Sequence, residues 1–216
     1  ASAEPDRAQA RNQAKTQDGM ANRMNRAERI DFILASKSPR RKKLLAGAGY
    51  KFRVVVSDVD ESAFEQEKNA TEHARKLAVA KAKDVAAKFP DTLVLAADTV
   101  VDCEGEIIGK AIDADHAEQI IRKLFTRPHK VITAVAIIRE SDNTEIVETD
   151  TTAVCPIKMT EEQIAEHIKS GTWRGKAGAY GIQEGGDKFV EKIDGSYTNV
   201  MGLPMELVER MLDSIL

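Results

Sequence analysis

The chain has 216 residues, 42% hydrophobic and 31% charged, a balance that supports a packed core and excludes a collagen-like or wholly disordered chain. Lys and Arg number 32 against 35 Asp and Glu, a formal charge of −3, and aromatics are only 5%, so neither nucleic acid nor an anionic membrane is an indicated partner. No run of 18 apolar residues occurs, which removes a membrane-spanning helix.

Residues 1–28 contain no Leu, Ile, Val or aromatic side chain and read as a disordered extension, leaving residues 29–216 as a single domain. The apolar run from Arg29 to Ser36 predicts a buried strand. Ser38 then suits an N-cap and Pro39 a first helical position, with Leu44, Leu45 and Ala48 at helical spacing. A second strand is expected from Phe52 to Val56, an acidic turn from Ser57 to Glu61, and a long helix from about Thr71 to Lys88. Leu93 to Val101 reads as a central strand, and Glu104-Gly105 as a hairpin turn into Ile107 and Ile108.

Ala117, Ile120, Ile121 and Leu124 repeat at helical spacing behind Asp113. Val131 to Ile138 and Ile146 to Ile157 predict a long hairpin turning at Ser141 to Asn143. Thr160 with Gln163 forms a capping box for a helix that ends at Gly171. Of 13 glycines, 8 lie between Gly171 and Gly202, a stretch that must need unusual backbone angles or close approach. A last helix begins at Pro204. Strands and helices in this mixture predict an α/β fold, with a mixed twisted β-sheet flanked by helices and two lobes around a cleft. Cys103 and Cys155 lie far apart in strand-like segments and are expected as buried free thiols, which implies a reducing, cytoplasmic setting.

Three electrostatic anomalies carry the chemistry. Arg40, Arg41, Lys42 and Lys43 crowd the first turn of the first helix, where the macrodipole disfavours cations; a phosphate would offset that, and a solvated basic face is the alternative. Lys81 falls at the centre of the stripe Ala74, Leu77, Ala78 and Val85, where it either meets an anion or snorkels outward. Such an apolar setting predicts that Met would replace it with stability kept or raised. Asp98 sits inside the apolar run Val94 to Val101 and should meet a metal, a cation, a transferable proton or backbone amides. Asp60 and Glu61 add oxygen ligands of the kind a hard divalent cation prefers.

Other chemistries are excluded by motif. Gly105 to Lys110 has three residues between its glycines and Ala111 after its lysine, so it is no Walker A loop. No G-x-G-x-x-G follows a strand, and the four histidines form neither a zinc-protease helix nor part of a serine-hydrolase elbow.

Ile33 to Arg41, Ala97-Asp-Thr-Val100, Gly105 to Lys110, Lys176 to Gln183 and Gly195 to Pro204 occur in one order and strongly resemble the Maf family of nucleoside triphosphate pyrophosphatases. The likeness runs from about Ile30 to the end, and the leading segment has no counterpart. It implies hydrolysis between the α and β phosphates with Mg²⁺ or Mn²⁺ as cofactor. It also implies Asp98, Lys81 and Arg41 as the catalytic set, and Glu61 with Asp98 as metal ligands. Ser36, Arg40, Arg41, Lys81, Thr99, Lys110 and Gln183 are then the substrate-binding residues. Arg40, Thr99 and Gln183 resemble the dTTP/UTP branch rather than the branch acting on 7-methyl-GTP. The implied partner is the nucleotide, with a homodimer allowed. The alternative the family name carries is a nucleotide-sensing interaction protein that restrains cell division or septum formation; the retention of Asp98 and Glu61 discriminates against it.

Overall fold

The structure is a computed structural model that describes residues 31–184 and 187–215. The expected disordered extension, residues 1–28, lies outside the described residues.

The first described elements alternate between strand and helix. Strand β1 (Asp31–Leu34) leads into helix α1 (Pro39–Gly47), whose N-cap is Ser38, and returns through β2 (Lys51–Val54). Helix α2 (Ala70–Ala86) starts one residue before the expected Thr71 and is capped by Asn69, which accepts from the Glu72 amide at 3.1 Å. Strand β3 (Leu93–Cys103) turns at Glu104-Gly105 into β4 (Glu106–Ile108). Helix α3 (Ala114–Leu124) is capped by Asp113, and β5 (His129–Arg139) pairs with β6 (Thr144–Pro156) as the expected hairpin. Helix α4 (Glu161–Ser170) carries the full Thr160/Gln163 capping box and stops at Gly171. The remaining elements are β7 (Val190–Asp194), the one-turn α5 (Tyr197–Val200) and α6 (Met205–Asp213).

Seven strands form one mixed sheet in the order β2-β1-β3-β5-β6-β7, with β4 on the side of β3 away from β5. β2, β1 and β3 run parallel, and the other pairs are antiparallel. One face of this sheet packs on α1 and α6 through Leu45, Leu95, Ile137, Leu207 and Met211. The opposite face packs on α2, whose Ala74, Ala78 and Ala82 are small enough to let the helix lie close against Val94, Ala96 and Ala134. A third cluster fills the far end, where Val101 and Cys103 meet α3, α4, Trp173 and Tyr180. A cleft opens beside this cluster, whose Val101, Val131 and Tyr180 line it. Cys103 is buried as expected, but Cys155 is only part-buried because it sits at the β6/β7 register shift; both are free thiols.

Asn199 ties α5 to the sheet. It is fully buried, and its amide nitrogen donates to the Val131 carbonyl at 3.0 Å and to Thr152 Oγ1 at 2.9 Å. Replacing Asn199 by Ala removes both bonds, while Thr152 Oγ1 keeps the Ser196 amide as a donor at 3.0 Å, so urea unfolding should show a loss of about 2 kcal/mol. An unchanged midpoint would show that α5 is held by packing alone.

Candidate active site

The cleft originates in a gap in hydrogen bonding. β1 pairs with β3 only at Leu93 to Leu95, and β4 only at Val101 to Cys103. Between them the outer edge of β3 has no strand, which leaves the outward-facing backbone groups of Ala97 and Thr99 without ladder partners there, while those of Asp98 face β5. A crevice where neighbouring strands part is where open α/β sheets receive ligands.

Arg41 takes over that edge. Its Nη1 donates to the Ala97 carbonyl at 2.7 Å and to Ser36 Oγ at 3.3 Å, its Nη2 to Thr99 Oγ1 at 3.0 Å, and its Nε to the Gly202 carbonyl at 2.8 Å. Burial pulls its pKa below the ordinary arginine value, while the nearby Asp98 charge opposes that shift. The side chain expected to touch phosphate is therefore first a clamp that joins α1, β3 and the turn before α6. Arg40, its neighbour, reaches across to the Gly175 carbonyl at 3.4 Å.

Alternation along β3 sends Asp98 to the opposite face, beneath α2. There Lys81 Nζ donates to Asp98 Oδ1 at 2.8 Å and contacts Glu61 Oε1 at 2.7 Å. Lys110 Nζ holds the other Glu61 oxygen at 3.0 Å. Lys81 is 8% exposed and Asp98 7%, so the lysine on the apolar stripe does meet an anion and does not snorkel. Burial would push the Glu61 carboxyl up, but the hydrogen bonds and charges of Lys81 and Lys110 outweigh it and hold its pKa down to about 2.

One cleft of about 480 Å³ is lined by Ser36, Arg40, Arg41, Glu61, Lys81, Asp98, Thr99, Lys110 and Gln183, the residues that the family resemblance implies; Lys42, Lys43 and Asp60 do not line it. Gln183 lies exposed on a single 3-10 turn (Ile182–Glu184). Asp60 caps the turn beginning at Glu61 and is spent on the Ser62 amide. Arg174, Lys176 and Tyr180 also line the cleft, and sequence reasoning did not single them out. The clustered glycines signalled that segment, but nothing marked its individual side chains. A second cleft, about 590 Å³, reaches Glu61, Asp98 and Lys110 from the side of His73 and Leu77. The stretch from Gly105 to Lys110 contains β4 and no helix, in keeping with the rejection of a Walker loop.

Among the described residues no group of three or more His, Cys, Asp or Glu side chains gathers to hold a metal ion. Two carboxylates on one ammonium still fit Mg²⁺, which typically takes one or two protein carboxylates and fills its remaining positions with water and substrate phosphate oxygens.

Fold and cleft together define an α/β domain that sets a cationic wall beside two acidic groups, an arrangement for a polyphosphate. A family model described as "Maf-like protein" matches residues 31–215, and the chain belongs to the Maf family. A dTTP/UTP pyrophosphatase of Rhodopirellula baltica is 43% identical over 85% of this chain and 81% of its own length. Its counterpart in Citrifermentans bemidjiense is also 43% identical, over 83% of this chain and 93% of its own. The solved Staphylococcus aureus Ham1 protein aligns with 58% of this chain and 71% of its own at 16% identity and a TM-score of 0.40.

The geometry corrects the expectation for Lys81. Met at this position would leave Asp98 buried and uncompensated, facing Glu61, and breaking a buried pair this way costs about 3–5 kcal/mol. Urea unfolding of Lys81→Met should show that loss, and adding Asp98→Asn should recover part of it; a variant as stable as wild type would contradict the pairing. Because the folded Glu61 carboxyl lies below its ordinary 4.5, it contributes stability that is present above 4.5 and lost as the pH falls toward about 2. Glu61→Gln should flatten the stability profile over that window, and an unaltered acid limb would show that Glu61 is not strongly held.

Proposed function

We propose that this chain hydrolyses dTTP and UTP to the monophosphate and pyrophosphate. The observation that carries the reading is the convergence of Asp98, Lys81, Glu61 and Lys110 in one cleft of a chain whose relatives are named dTTP/UTP pyrophosphatases. A cleft of about 480 Å³ suits a ligand of nucleotide size.

Each side chain then has a role. The Ser36 hydroxyl and the Arg40 amide and guanidinium bind phosphate oxygens, while Arg41 keeps that wall in place; the Arg41 and Lys42 amides are spent on Ser38. Lys110 and Lys81 neutralise charge that builds on the leaving pyrophosphate. Asp98, oriented by the Lys81 ammonium, accepts the proton of the water attacking the α phosphorus. Glu61 and Asp98 would hold Mg²⁺ or Mn²⁺, which when bound offsets triphosphate charge. Thr99 bonds Arg41 and the Thr133 hydroxyl at 2.9 Å and serves as a brace for the phosphate wall.

Gln183 on the cleft wall selects the base. Thymine and uracil present a ring N–H flanked by carbonyls, and one amide can donate to a carbonyl while accepting from that N–H. Cytosine reverses the polarity. The free thiols suit a reducing cytoplasm. A nucleotide-sensing role without turnover is not favoured, because a pure binder gains little from a proton-accepting carboxylate such as Asp98 placed beside a polyanion.

Incubation with a panel of triphosphates and Mg²⁺ should give monophosphate and pyrophosphate, fastest from dTTP and UTP; orthophosphate as primary product would overturn the reading. Asp98→Asn, nearly isosteric and still able to accept from Lys81, should keep the fold and lose about 10²–10⁴-fold in kcat. Gln183→Glu replaces a donor with an acceptor and should erode the preference over CTP, whereas an unaltered rank order of kcat/KM would remove Gln183 from base selection.

A further inference from the structure

The wall that carries Gln183 is built from backbone that side chains rarely adopt. Gly178 has φ +72°, and a Cβ there would come within 3.0 Å of Leu124 Cδ1 and Val101 Cγ2, so glycine is required. Ala179, fully buried, follows at φ +57°. A non-glycine residue in the left-handed region persists only where its surroundings over-determine it.

Two contacts, one part-buried and one buried, supply that constraint. His167, in the last turn of α4, contacts the Ala179 carbonyl through Nε2 at 2.8 Å; a carbonyl only accepts, so Nε2 carries the proton. His129, the first residue of β5 and 3% exposed, meets the Tyr180 hydroxyl through Nε2 at 2.9 Å. The Tyr180 ring is fixed edge-on against Phe125 at 5.3 Å between centroids. Burial keeps the tyrosine protonated and disfavours the imidazolium, so the pair is a neutral donor and acceptor in a dry setting.

The pair lies apart from the chemistry. Asp98 registers opposite Ala134 on β5, five residues beyond His129, and neither histidine lines the cleft. Tyr180 does line it, and its chain leads directly through Gly181 and Ile182 to Gln183.

We infer that His129 and His167 are positioning residues for base selection: through the Tyr180 hydroxyl and the Ala179 carbonyl they fix the segment that presents Gln183 to the pyrimidine. The inference rests on the proposed hydrolysis of dTTP and UTP. It places the effect of these residues in substrate affinity and discrimination, not in the reaction step.

The test compares His129→Leu with His129→Gln, which retains an amide near the Nε2 position, and adds Tyr180→Phe. Steady-state kcat and KM are measured for dTTP, UTP and CTP on variants whose near-UV spectrum shows a folded core. His129→Leu and Tyr180→Phe should raise KM for dTTP on the order of 10-fold and shrink the preference for dTTP over CTP, with a much smaller change in kcat. His129→Gln should restore most of both. Folded variants with wild-type KM and preference would reduce the pair to a stability element and overturn the inference. A fall in kcat at constant KM would equally overturn it, by putting the pair in the chemistry. Wild type that turns over neither nucleotide refutes the proposed hydrolysis instead; calorimetric binding of dTTP and CTP to the same variants then reads the same preference.

Discussion

The site depends on one ammonium held between two carboxylates. Lys81 reaches Asp98 and Glu61 at 2.8 and 2.7 Å from the apolar face of α2, and none of the three has another described cation or anion at comparable distance except Lys110 on Glu61. Burying charge in this way contributes little to stability, since desolvation consumes most of the Coulomb gain. What it contributes is a fixed orientation. Asp98 cannot rotate away from Lys81 without stranding a charge, and Glu61 is drawn from its loop onto the same point. The alanines of α2 make this possible, because only a helix lying close to the sheet can place Lys81 against β3.

The second constraint is the parting of β1 and β4 along β3, which supplies both the crevice and the need for Arg41. A sheet closed at this edge would bury Ala97 and Thr99 in ladder bonds and leave no cleft. Left open, it requires donors from elsewhere, and Arg41 provides them while reaching Gly202. Arg40 then spans to Gly175 and Lys110 pairs through a β-bridge with Ala177, so the glycine-rich wall is tied both to α1 and to the segment after β4.

Much of this was legible in the sequence where the determinants are local. Ser38-Pro39, Asp113 and Thr160 with Gln163 set helix starts through bonds spanning three residues, and each start was found there. Lys81 and Asp98 stood out because a charge interrupts an apolar period. Arg41's partners did not, since Ala97, Thr99 and Gly202 are brought to it only by the fold. The expectation that Met would suit position 81 left the pairing out for the same reason: one helix face reveals the apolar stripe but not the two carboxylates above it. β7 and α5 were missed because Val190–Asp194 carries three charges in five residues and α5 is a single turn, and neither yields a period.

The central claim is that this assembly directs water to the α phosphorus. Turnover of dTTP with Mg²⁺ in ¹⁸O-labelled water, followed by mass spectrometry of both products, tests it most directly. The account predicts one labelled oxygen in the monophosphate and none in the pyrophosphate. Label in the pyrophosphate, or in released orthophosphate, would place the attack at another phosphorus and contradict it.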